Sequence, residues 1–115
     1  MTISELVEQA YENSKSHGFH GYNPTEKDAR LANDGLKLAL IHSEVSEVLE
    51  ELRSGREPNE LYFVDGKPEG APAELADIII RIADYAGLRE IDLEEAVRVK
   101  LEYNASRPYK HGREF

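Results

Sequence analysis

The sequence predicts an all-α protein built as a bundle of four helices. Apolar residues recur at three- and four-residue spacing along most of the chain. Capping residues, glycines and prolines punctuate that pattern at helix-length intervals. A single short run, "LYFV", reads as a strand.

The first helix is expected from Ile3 to Ser16, with Leu6, Val7, Ala10 and Tyr11 on one stripe. "HGFHGYNPT" breaks it with two glycines and a proline. The second helix runs from about Lys27 to Arg53. Thr25 and Asp28 resemble a capping box at its start, and Gly55 closes it. Residues 54–70 form a long connection in which "LYFV" followed by "DG" predicts a strand and a tight turn. The third helix starts near Pro72, a favoured first-turn residue, and ends at Gly87. The fourth follows Asp92, which makes a second capping box with Glu95. It stops near Ser106, because Pro108 disfavours helix at Arg107.

The 115 residues suffice for one domain spanning 1–115. A domain of this size buries roughly two thirds of its unfolded surface. The chain has no Cys, which excludes disulfides, thiolate metal sites and a Cys nucleophile. Its N-terminus lacks the basic and apolar regions of a signal peptide. The longest apolar run, "ADIIIRIADYAG", is cut by Asp77, Arg81 and Asp84, so no membrane span is expected. A cytoplasmic protein is the expectation. The net charge of −9 argues against a nucleic-acid polymer as partner. Arg107, Lys110 and Arg113 gather in the tail. That asymmetry suits a small anionic ligand held between metal ions and cations.

The second and third helices carry the chemistry. At about 100° per residue, Ile41, Val45, Val48, Leu49 and Leu52 form the apolar face of the second helix. Glu44, Glu47 and Glu51 line its edge, while Glu50 points away. On the third helix Leu75, Ile78, Ile79, Ile82 and Ala86 face the core, and Glu74, Asp77, Arg81 and Asp84 share the adjoining edge. Packing the two apolar faces would set Glu44-x-x-Glu47 opposite Glu74-x-x-Asp77. Four carboxylates in one small volume require compensation. A hard divalent cation with oxygen ligands supplies it, Mg²⁺ first and Mn²⁺ as the alternative. A di-iron bundle would need Glu-x-x-His, which the chain lacks. On the fourth helix Lys100 and Asn104 lie one turn apart, with Arg107 next in line. Cations there suit phosphate oxygens, and they equally complement the helix dipole.

These residues resemble the MazG-type all-α nucleotide pyrophosphohydrolases. The likeness rests on the two acidic pairs, the 26 residues between Glu47 and Glu74, and Lys100-x-x-x-Asn104-x-x-Arg107. It extends from about "SHGFHG" to the C-terminus, and "LALIHSEVSEVLEELRSG", "ELADIIIRIADYAG" and "KLEYNASRPYKHG" look like the short single-domain bacterial and phage members. The resemblance implies a MazG-like four-helix bundle that hydrolyses nucleoside or deoxynucleoside triphosphates to the monophosphate and pyrophosphate. It implies metal ligation by Glu44, Glu47, Glu74 and Asp77. Lys100, Asn104 and Arg107 match positions that meet the phosphates or sugar, and a homodimer or homotetramer is implied. Many members carry a doubled acid at the first motif. Here Ser43 precedes Glu44, which makes Glu51 an additional candidate ligand.

Glu47 is the expected catalytic residue, orienting or deprotonating the attacking water. Phe19 is the expected base-stacking residue, with His20, Tyr22, Tyr62 and Phe63 as other ring candidates. His42 is expected to be structural. Two rival readings remain: a non-catalytic acidic interaction protein, and a phosphoribosyl-ATP pyrophosphohydrolase using the same metals.

Overall fold

The computed structural model describes residues 1–113, apart from the side chain of His111. It is mostly helical. Helix α1 (Ile3–Ser16) opens with a capping box: Thr2 Oγ1 accepts from the Glu5 N–H at 3.0 Å, and the Glu5 carboxylate accepts from the Thr2 N–H at 3.3 Å.

Helix α2 (Lys27–Arg53) begins differently from the sequence reading. Its cap is Glu26, not Thr25. The backbone is still extended at Glu26, so Glu26 is the last residue before the helix. Its longer side chain folds back to accept from the N–H groups of Asp28 (3.1 Å) and Ala29 (2.9 Å). Those bonds, Ala29 first, hold the Glu26 carboxyl below its usual range. At the far end Ser54 caps the helix and Gly55 takes φ 93°, as the glycine suggested.

The "LYFV–DG" signal becomes a hairpin. Strand β1 (Tyr62–Val64) pairs antiparallel with β2 (Lys67–Glu69), with Tyr62 opposite Glu69. Asp65 (φ 50°) and Gly66 (φ 82°) make the turn, both in the left-handed region that two-residue hairpin loops require.

Helix α3 (Ala71–Leu88) follows at once. Gly70 caps it at φ 104° and ψ 170°, a conformation essentially confined to glycine. A Cβ there would also run into the Glu60 carbonyl oxygen. Helix α4 (Leu93–Ser106) is capped by Asp92, whose carboxylate accepts from the Glu95 N–H at 3.1 Å. A 3₁₀ turn, Tyr109–Gly112, follows.

The centre of the molecule is α3, which packs against both α1 and α2, while the principal neighbour of α4 is α1. The contact of α1 with α3 is close. A Cβ on Gly87 would lie 2.6 Å from Tyr11 Cβ. Among the described residues, the buried hydrophobic side chains are all alanines: Ala10 on α1, and Ala71, Ala83 and Ala86 on α3.

The apolar faces expected to form the core are largely uncovered within one chain. On α2, Val45 (52 %), Leu49 (54 %) and Leu52 stay exposed, and Ile41 and Val48 are half-buried. On α3, Leu75, Ile79 (53 %) and Ile82 are exposed, Ile78 is half-buried, and only Ala86 is buried. The reason is geometric. Twenty-seven residues make α2 about 40 Å long, and α3 is its one extensive helical neighbour. The radius of gyration is correspondingly large, 16.8 Å against roughly 13 Å for a compact chain of this size. No described helix is long and apolar enough to cross a membrane.

Candidate metal centre

Three elements deliver carboxylates to one place. Helix α2 carries Glu44, Glu47 and Glu51, α3 carries Glu74 and Asp77, and β2 ends on Glu69. One ligand oxygen each from Glu44, Glu74 and Asp77 all lie within 4.8 Å of one another. A second group, Glu51, Glu69 and Glu74, meets the same distance. Glu74 belongs to both. It sits in the first turn of α3, so the glycine-specific bend at Gly70 sets where it points.

Crowding marks Glu74 electrostatically. Its carboxyl is pushed up to about 7, chiefly by burial, then by its hydrogen bond with Glu44 and by the charges of Glu44, Asp77 and Glu47. Glu47 is exposed and stands outside the closest group, yet its charge reaches Glu74. Among the described residues, Arg81 and Lys67 pair directly with carboxylates of the row. Arg81 lies 3.2 Å from Glu44, and Lys67 lies 3.3 Å from Glu69. Glu69 holds the Lys67 ammonium above its usual range. The Tyr62 hydroxyl donates to both oxygens of Glu51, at 3.1 and 3.3 Å, while the Arg56 guanidinium stacks 3.9 Å from the Tyr62 ring centre. Burial, then Glu51, pushes the Tyr62 phenol up.

The donor set fits a hard divalent cation. It is all oxygen and closely spaced, and burial together with the neighbouring carboxylates drives one carboxyl towards neutrality.

A groove of about 560 Å³ opens beside the acid row between α1, α2 and α3. Asp77 and Arg81 line one part of it, and Phe19, Tyr22 and Lys37 other parts. Phe19 is 72 % exposed, so it forms a wall of the groove and no part of the core. Lys100, Asn104 and Arg107 belong to the end of α4, whose principal neighbour is α1. There Lys100 and Arg107 lie 5.3 and 5.5 Å from the centre of the Tyr103 ring. Within this chain, the fold sets Arg81 and Lys67 against the carboxylates. Glu50 pairs with Arg53 in solvent, and His42 is exposed.

Glu69 was missed in the sequence because a lone Glu in a connection carries no periodic signal. The "DG" turn held the clue. It fixes the register that sets Glu69 opposite Tyr62 and beside the start of α3. Tyr62, a ring candidate for the base, instead supports Glu51.

No family model matches the chain, and comparison with curated proteins and with solved structures gives no significant match.

Proposed function

We propose that this protein is a MazG-type nucleoside triphosphate pyrophosphohydrolase, a four-helix MazG-like bundle that cleaves its substrate to the monophosphate and pyrophosphate. One observation carries the reading. The two acidic pairs that the sequence spaces 26 residues apart lie on helices that meet, with Glu44, Glu74 and Asp77 within 4.8 Å. The resemblance of the sequence motifs to that family supplies the reaction.

Glu44, Glu74 and Asp77, with Glu47 beside them, would hold Mg²⁺ or Mn²⁺. Such an ion supplies Lewis-acid polarisation and neutralises triphosphate charge. The protein's own groups then divide the remaining work. Glu47, outside the tightest group, takes a proton from the attacking water. The water oxygen bonds to phosphorus as the bond to the bridging oxygen breaks, and pyrophosphate departs with that electron pair. Arg81, already at the acid row, offsets charge on the leaving group. Lys100, Asn104 and Arg107 contact phosphate or sugar, and Phe19 stacks on the base.

The reading includes a homodimer or homotetramer. The exposed apolar residues of α2 and α3 support it, because a patch of that kind on one chain calls for a partner surface.

The decisive experiment is pyrophosphate release from a panel of canonical and modified NTPs and dNTPs and from phosphoribosyl-ATP, with Mg²⁺ and with EDTA. Metal-dependent release from a subset is expected. Release confined to phosphoribosyl-ATP would move the assignment to that enzyme. No release from any nucleotide by folded protein would favour the acidic interaction protein.

A further inference from the structure

The carboxylates of the acid row differ in what holds them. Glu74 belongs to both groups of oxygens that meet within 4.8 Å, with Glu44 and Asp77 in one and Glu51 and Glu69 in the other. A cation bound at Glu74 therefore has Glu51 as a neighbour. Glu44 leans on the Arg81 guanidinium and Glu69 on the Lys67 ammonium. Glu51 instead meets a neutral group, the Tyr62 hydroxyl, which donates to its two oxygens at 3.1 and 3.3 Å.

That phenol is itself fixed from several directions. The Arg56 guanidinium lies 3.9 Å from the ring centre and is anchored by Glu60 at 2.5 Å. Across the hairpin Tyr62 pairs with Glu69. The ring also fills the room that Gly70 leaves: a Cβ there would fall 3.3 Å from Tyr62 Cδ1 and Cε1. Tyr62 thus touches the hairpin, the bend before α3 and, through Glu51, the last turns of α2.

We propose that Tyr62 is a positioning residue, which presents Glu51 as a further ligand to the cation at Glu74. The inference rests on the pyrophosphohydrolase reading for the presence of that cation. A free Glu side chain loses rotamer freedom when it takes up an ion. One already oriented by a hydrogen bond loses less, and partners behind metal ligands act in this way. A neutral donor suits the task better than a cation would, because it orients the carboxylate without cancelling its charge. An ionised carboxylate offers about four acceptor sites. The single phenolic hydrogen leaves the others open to the ion.

The test measures Mg²⁺ binding to the full chain without nucleotide, by isothermal titration calorimetry. Wild type, Tyr62→Phe, Glu51→Gln and the double variant are compared, with thermal unfolding in EDTA as the control for fold. Tyr62→Phe keeps the ring between Arg56 and Gly70 and removes the hydroxyl alone. It should weaken Mg²⁺ binding about tenfold, the lower end of the usual effect of such partners. Glu51→Gln should weaken it at least as much. The double variant should bind as Glu51→Gln does, because a residue acting through Glu51 adds nothing once that charge is gone. Raising Mg²⁺ to saturation should restore pyrophosphate release by Tyr62→Phe, since the hydroxyl touches no substrate. If Tyr62→Phe does not fold, Glu51→Asp, which keeps the charge but draws it back from the hydroxyl, should show the tenfold loss in its place. Unchanged affinity in the folded variant, a Tyr62→Phe effect that persists in full beside Glu51→Gln, or no Mg²⁺ binding by wild type would overturn the inference. Pyrophosphate release by wild type separates the two ideas. Release with Mg²⁺ affinity unchanged in Tyr62→Phe removes the positioning role alone. The expected affinities with no release from any nucleotide remove the hydrolase alone.

Discussion

At Glu74, burial and three neighbouring carboxylates push in the same direction. Its carboxyl titrates near 7 in the folded chain against an ordinary value of 4.5. Between those values the folded state keeps a proton that the unfolded chain has lost. The associated stability is fully present below 4.5 and is lost as pH rises through 7. The metal-free protein should therefore melt at a lower temperature at pH 8 than at pH 5.5, once other groups are controlled by comparison with Glu74→Gln. Cation binding needs the ionised form, so the melting shift produced by Mg²⁺ should grow across the same interval. An Mg²⁺ shift equal at both pH values would count against Glu74 as a ligand. Glu47→Ala should lower turnover by roughly 10²-fold or more, the usual worth of a general base, with melting unchanged. A variant that kept most of its activity would shift the base role elsewhere. Much of this row was legible as residue types at fixed spacing. Neither the place of Glu47 outside the closest group nor the entry of Glu69 was, because both depend on how the helices and a hairpin meet.

Helix boundaries were well written in the sequence, because caps and prolines act locally. The exception at α2 is instructive. Thr25 has the preferred side chain, but the chain stays extended one residue longer and Glu26 takes the N–H groups. Contacts between elements were less legible. Asp34 on α2 accepts from Arg89 Nε and Nη2 at 2.6–3.1 Å and from the Tyr85 hydroxyl at 3.2 Å, tying α2 to the end of α3. The Arg89 hydrogen bonds hold the Asp34 carboxyl below its usual range. That contribution is present at neutral pH and is lost as pH falls through the depressed value. Asp34→Ala should cost about 2 kcal/mol in urea unfolding, the worth of charged hydrogen bonds removed from one side. Gly70→Ala should cost at least ~2 kcal/mol from backbone strain. Since Gly70 aims the first turn of α3, that variant should also weaken Mg²⁺ binding. An alanine variant with wild-type stability would mean the bend can relax.

For the whole molecule, the apolar residues read on α2 and α3 as core are largely exposed within one chain. Hydrophobic periodicity records which side of a helix avoids water. It carries no information on whether the covering surface belongs to the same chain. Light scattering should report a mass that is a multiple of the monomer's 13.0 kDa. Leu49→Glu or Ile79→Glu, each placing a charge on an exposed apolar position, should bring it down to the monomer. A wild type that remains monomeric at high concentration would leave the face to a different partner.

On the proposed reading of an oligomeric hydrolase, the long α2, whose apolar side is largely exposed within one chain, would tie catalysis to mass action. Glu44 and Glu47 stand on the same helix as Val45 and Leu49. Dilution below the dissociation constant of that oligomer would strip the helix of its cover and let its amides exchange faster than those of α3. Metal affinity would then fall with protein concentration itself. Specific activity should drop on dilution and recover when a catalytically dead but assembling copy, such as Glu47→Ala, is added back.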